Sequence, residues 1–96
     1  MAEYVITAEG KMCAENGYVA IDDLTICKEA AAQLIYKFQK TETFKNWPKG
    51  CFEYDGHVYF NEHVYGTMEY MSTSRQICKE RDSELRSFLT SMHLLV

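Results

Sequence analysis

The chain has 96 residues, 47% of them hydrophobic and 25% charged, and a formal net charge of −4. That length suits one domain and not two. The acidic balance and the lack of any basic run argue against nucleic acid, which needs clustered Lys and Arg to displace counterions. The apolar stretches fall far short of the ~20 residues of a membrane span.

In chain order, Tyr4-Val5-Ile6-Thr7 is a β-prone run that ends at Gly10, and Gly17-Tyr18-Val19-Ala20-Ile21 is a second. Asp22-Asp23 then offers an N-cap with acidic charge where the helix dipole favours it. From there Leu24, Cys27, Ala31, Leu34, Ile35 and Phe38 fall at three- and four-residue steps, which predicts a helix over 23–39 with Cys27 turned inward. Lys40 to Lys49 is polar and runs into Trp47-Pro48-Lys49-Gly50, a loop signature. Cys51-Phe52-Glu53-Tyr54, Asp55-Gly56 and His57-Val58-Tyr59-Phe60-Asn61 read as a β-hairpin, because Asp-Gly supplies the positive φ angles of a type I′ turn. Residues 62–67 form a loop around Gly66, and Met68-Glu69-Tyr70-Met71 reads as a short strand or bent segment. Arg75-Gln76-Ile77-Cys78-Lys79 reads as a final strand. Leu85, Phe88, Leu89 and Met92 share one face of a C-terminal amphipathic helix over 81–93. The expected fold is α+β, with a small antiparallel sheet, one main helix packed across it and a short C-terminal helix. Residues 1–80 form the module, and 81–96 belong to the same domain.

Four cysteines, Cys13, Cys27, Cys51 and Cys78, stand at wide, uneven spacing with no C-x-x-C pair. This is how a disulfide framework of a small exported module looks, rather than a zinc ribbon or a thioredoxin-type motif. The expected compartment is therefore extracellular or an organelle lumen. No secretory signal stands at Met1-Ala2-Glu3, so this reading expects a leader to have been removed. A small cytosolic protein with reduced cysteines is the alternative.

The chain resembles a cysteine-bearing module of predicted secreted proteins of marine algae, especially dinoflagellates. The resemblance spans about residues 10–79. It is carried by Cys13 after a strand, Ile26-Cys27-Lys28-Glu29-Ala30-Ala31, Pro48-Lys49-Gly50-Cys51, Val58-Tyr59-Phe60-Asn61 and Ser74-Arg75-Gln76-Ile77-Cys78-Lys79. At the level of topology, a helix stapled by a cysteine to a hairpin is similar to PAN/apple-type modules. That similarity implies binding of proteins or carbohydrates and no catalysis.

Four cysteines allow three connectivities. The favoured one joins helix to hairpin by Cys27–Cys51 and the two ends of the module by Cys13–Cys78. Its main rival is Cys13–Cys27 with Cys51–Cys78. His57 and His63, with Glu62, Glu53 or Asp55, could be imagined around a metal. They bracket a whole strand, however, and so stand roughly 20 Å apart if it is extended, which makes them surface histidines. His93, near a helix C-terminus, is mildly favoured there as a cation. Cys51 with His57 has no orienting third group and no oxyanion site, and the chain carries no phosphate loop, nucleophile elbow or H-E-x-x-H. No enzyme, metal or cofactor is expected. Of the aromatic set, most rings are read as core. Trp47, Tyr54, Tyr65 and Tyr70, near turns, form the candidate binding patch, since Trp and Tyr anchor protein interfaces and stack on sugars. Asn61 is expected to cap a turn through its own backbone. The function expected is a non-catalytic interaction module that binds protein or glycan. The second expectation is a structural subunit docked in a larger assembly through the sheet edge and the C-terminal helix, whose apolar end otherwise folds back on the domain.

Overall fold

The computed structural model describes residues 4–63, 66 and 72–80. The expected segment 68–71 and the C-terminal helix, with Tyr65, Tyr70 and His93, lie outside the described residues. Six strands and one α-helix make up the rest: β1 (Tyr4–Ile6), β2 (Val19–Ala20), α1 (Leu24–Gln33), β3 (Lys37–Glu42), β4 (Gly50–Tyr54), β5 (His57–Asn61) and β6 (Arg75–Lys79), with a single 3-10 turn at Cys13–Asn16. The sheet order is β1-β6-β4-β5-β3, and β2 pairs with β6. Most pairs are antiparallel, but β3 runs parallel to β5. The sheet is thus mixed, which corrects the all-antiparallel expectation.

The hairpin forms as its residues dictate. Tyr54 pairs with His57 across the tip, and Asp55 and Gly56 both take positive φ, 50° and 83°. The β4 entry has a different constraint. Gly50 has φ 77°, and a Cβ there would collide with the Ile21 carbonyl oxygen. That carbonyl accepts the Cys51 N–H at 3.3 Å, so the end of β2 lies in line with the start of β4.

The helix is shorter than periodicity predicts. Asp23 caps it by accepting the Ile26 N–H at 3.0 Å. It ends at Gln33, and Lys37–Glu42 becomes β3. Two facts explain the break. The Tyr36 N–H reaches the Ala31 carbonyl and the Ile35 N–H reaches the Ala32 carbonyl, a Schellman closure with Ile35 at φ 63°. Beyond it, β5 offers an open edge that β3 fills, with Phe38 opposite Val58. Phe38 packs half-buried against the core, so a helical stripe and a strand share one apolar residue there. Ile35 does not stay inside: it is 90% exposed, against the expectation that it joined the inward stripe.

A β-branched residue in the left-handed region costs about 1–2 kcal/mol, and glycine there costs almost none. Ile35 surrenders no burial when truncated. Ile35→Gly should therefore raise stability by about 1 kcal/mol, after glycine's larger unfolded-state freedom is counted. Thermal denaturation should show Tm rising by several degrees.

Strand alternation splits the sheet into two covered faces. On one, Cys51, Val58, Phe60 and Ile77 meet Cys27, Ala30 and Ala31 of α1, with Tyr4 and Ile21 alongside. Disulfide Cys27–Cys51 fastens helix to hairpin on this face. On the other, Phe52 stands opposite Tyr59 and Gln76. There disulfide Cys13–Cys78 fastens the 3-10 turn to β6. All four sulfurs are paired, in the favoured connectivity and not its rival.

Tyr4 adds a polar tie on the helix face. Its hydroxyl donates to Glu29 Oε2 at 2.7 Å. Burial first, then that bond and the carboxylate's charge, push its phenol up to about 12 from the ordinary 10. The folded value lies above the unfolded one, so this contribution is complete below pH 10 and is lost as pH rises through about 12. Tyr4→Phe should lower neutral-pH stability by roughly 1 kcal/mol and flatten the stability loss across that alkaline window. Urea denaturation at stepped pH measures both.

Candidate functional site

Among the described residues, two surfaces gather more than one partly exposed aromatic ring. The first lies on the sheet face opposite α1. Trp47 packs edge-on against Phe52 and Tyr59, with ring centroids 5.8 and 6.4 Å away, and tilts against Phe44 at 4.9 Å. Phe52 and Tyr59 stack at 5.4 Å. Phe52 is fully buried, Trp47 and Tyr59 are half-buried, and Phe44 is exposed. Trp47 is thus a lid on a small aromatic core more than a free-standing anchor.

The position of Trp47 follows from Asn61. The chain leaves β3 at Glu42 and enters β4 at Gly50, and both residues pair with Asn61 at the end of β5. Residues 43–49 must therefore arch over that strand end. Asn61 Nδ2 donates to the carbonyls of Phe44 (2.7 Å), Trp47 (3.1 Å) and Pro48 (2.9 Å). Its Oδ1 accepts from the Phe44 N–H at 3.0 Å and from the His63 N–H at 3.2 Å. The bond to His63 is the expected local turn cap, and the other four were not foreseen. Gln76 does a similar job on the same face. Its Oε1 accepts the Cys13 N–H at 2.6 Å and its Nε2 donates to the Lys49 carbonyl at 2.8 Å.

The second surface is a cleft of about 520 Å³ at the tip of the β4–β5 hairpin, lined by Glu9, Tyr36, Glu53, Tyr54, Asp55, Gly56, Thr73 and Arg75. Four separate segments meet here for a topological reason. Lys37 pairs with His57, which places the α1–β3 turn beside the hairpin tip. Glu53 pairs with Arg75, which brings in the start of β6. The Gly10 N–H donates to the Ser74 carbonyl, which holds the segment after β1 against the residues before β6. Glu53 is buried. It accepts the Gly56 N–H at 2.8 Å and faces Arg75 at 4.0 Å. Arg75 also faces Glu9 at 3.7 Å. Tyr54 is 39% exposed and Tyr36 half-buried.

Of the candidate patch, then, Trp47 belongs to the sheet-face cluster and Tyr54 to the cleft, while Tyr65 and Tyr70 are outside the described residues. Tyr36 and Arg75 are not marked as site residues by the sequence, and Glu53 is marked there only as a conceivable metal ligand. Tyr36 was hidden within an apparent helix, and the positioning of Arg75 depends on β4–β6 register. Neither His57 nor His63 joins a metal-ligating group, and no such cluster exists among the described residues. His57 Nδ1 lies 3.2 Å from the Asp55 carbonyl oxygen. Cys51 is committed to its disulfide. Among the described residues no helix is long and apolar enough to cross a membrane. No protein-family model, curated protein or solved structure matches the chain.

Proposed function

We propose that the protein is a non-catalytic interaction module of an extracellular or lumenal space, binding protein or glycan through exposed aromatic residues. The observation that carries this reading is the cleft at the hairpin tip. It sets Tyr36 and Tyr54 beside carboxylates and a guanidinium on a sheet braced by two disulfides. Rings supply contact area at low entropic cost, and the polar groups supply orientation. Paired sulfurs suit an oxidising milieu. The resemblance to secreted algal modules points the same way. The alternative, a subunit docked by its sheet edge, gains little from β3, whose exposed Lys37 and Lys40 oppose strand addition.

Two measurements test the reading. Protein isolated from its native source should gain about four daltons on reduction, two hydrogens for each bond broken. The same mass before and after reduction would remove the compartment argument. Labelled, non-reduced protein should bind an immobilised glycan array or a surface-displayed peptide library, and Tyr54→Ala should weaken that binding at least tenfold without lowering Tm. Silence in both formats would count against the reading.

A further inference from the structure

One residue beside the cleft is costly twice over. Ile35 holds φ 63°, a conformation for which glycine is the default at a helix C-terminus, and it is 90% exposed. Stability alone gives no reason for a large aliphatic side chain there. The next residue, Tyr36, lines the cleft, and Lys37 pairs with His57 at the hairpin tip. Ile35 therefore stands at the same end of the sheet as Tyr54 and Asp55.

The cleft has a charge preference. Among the described residues its walls hold three carboxylates, Glu9, Glu53 and Asp55, against the guanidinium of Arg75. Glu53 is buried and engaged with the turn and with Arg75; Glu9, which faces the same guanidinium at 3.7 Å, and Asp55 are exposed at the rim. Two tyrosine rings share the same walls. Rings with carboxylates form a receptor for a cationic side chain, held by ring quadrupole and charge together. A neutral sugar would not need the negative excess.

We propose that this end of the sheet docks a protein partner: a Lys or Arg side chain of the partner enters the cleft between Tyr36 and Tyr54, and Ile35 inserts as a knob into an adjoining apolar pocket of the partner. The inference rests on the interaction-module reading above and narrows it to a protein ligand with a basic anchor. It also accounts for the strained isoleucine, since a side chain costly to the free domain is retained when it contributes in the complex.

The test pans a phage-displayed random dodecapeptide library against the non-reduced full chain, alongside a glycan array, using wild type, Ile35→Gly and Tyr54→Ala. The expected result is enrichment of peptides with a basic residue flanked by apolar ones. Their affinity should fall at least tenfold in both variants and weaken with added salt. Ile35→Gly should meanwhile melt several degrees above wild type, so its lost binding cannot come from unfolding. Enriched peptides that bind Ile35→Gly as well as wild type, or that lack basic residues, would overturn the proposal. Glycan binding without peptide enrichment would overturn it while leaving the interaction-module reading intact. Silence in both formats would overturn both.

Discussion

Replacing Cys13 and Cys78 together by alanine should cost about 4 kcal/mol, the larger of the two disulfide effects. In the chain-entropy account the contribution grows with the loop that is closed, and Cys13–Cys78 spans 65 residues against 24 for Cys27–Cys51. The same account assigns the shorter link roughly 3 kcal/mol. A domain of this size has on the order of 5–15 kcal/mol in total. Loss of the longer link should therefore lower Tm by roughly 15–25 °C, and reduction of both should leave the chain largely unfolded at ordinary temperature. Thermal denaturation of the two double variants, followed by circular dichroism, gives the ranking. The opposite order, with the shorter link dominant, would mean that packing of α1 on its face outweighs loop entropy.

Asn61→Asp should destabilise by about 3 kcal/mol at neutral pH, with most of the loss recovered toward pH 4. The substitution is nearly isosteric, and one carboxylate oxygen can still accept the N–H groups of Phe44 and His63. The other replaces a donor that serves three carbonyls, and Asn61 is buried. A carboxylate pressed against carbonyl oxygens in a dry site is held above its unfolded value of about 3.9. The variant's stability is thus greatest below that unfolded value and falls as pH rises through the folded one. Asn61→Ala, which leaves the same carbonyls unserved without adding charge, should be destabilised by a comparable amount but show no such pH dependence. Urea titrations of both variants from pH 4 to pH 8 separate the two. Equal pH profiles would show that arch geometry, and not charge, sets the cost.

Much of the scaffold was legible in the sequence because local chemistry and global fold agree there. Asp55-Gly56 between two β-prone runs permits one turn, and Arg75–Lys79 carries Ile77 and Cys78 in a short run with no competing helical pattern. The cysteine pairing is legible because each sulfur sits in a different element. Where sequence reasoning failed, tertiary contacts decided. Phe38 fits a helical stripe and a strand equally well, and only the open edge of β5 selects the strand. Nothing local marks Ile35 as a helix terminator, since glycine or asparagine is the usual sign. The cleft was hidden for the same reason. Its walls come from Glu9, the α1–β3 turn, the hairpin and the start of β6, and their meeting is a property of strand order.

The placement of Cys13–Cys78 also governs how the domain answers mechanical load. Tyr4 pairs directly with Lys79, so the first and last described strands, β1 and β6, have these two ends side by side. Tension applied there peels β1 from β6 one backbone bond at a time, the weak direction for an antiparallel pair. Peeling stops when the strain reaches Cys13, after roughly 30 Å of slack has been drawn from the residues preceding it. Past that point force travels through sulfur, and everything between Cys13 and Cys78, including the hairpin, Tyr36 and Arg75, is shielded from the pull, while Glu9 alone of the cleft's described walls lies in the peeled segment. A tethered domain of this kind would yield a short, reversible extension under load that withdraws Glu9 and leaves both tyrosines of the cleft in place.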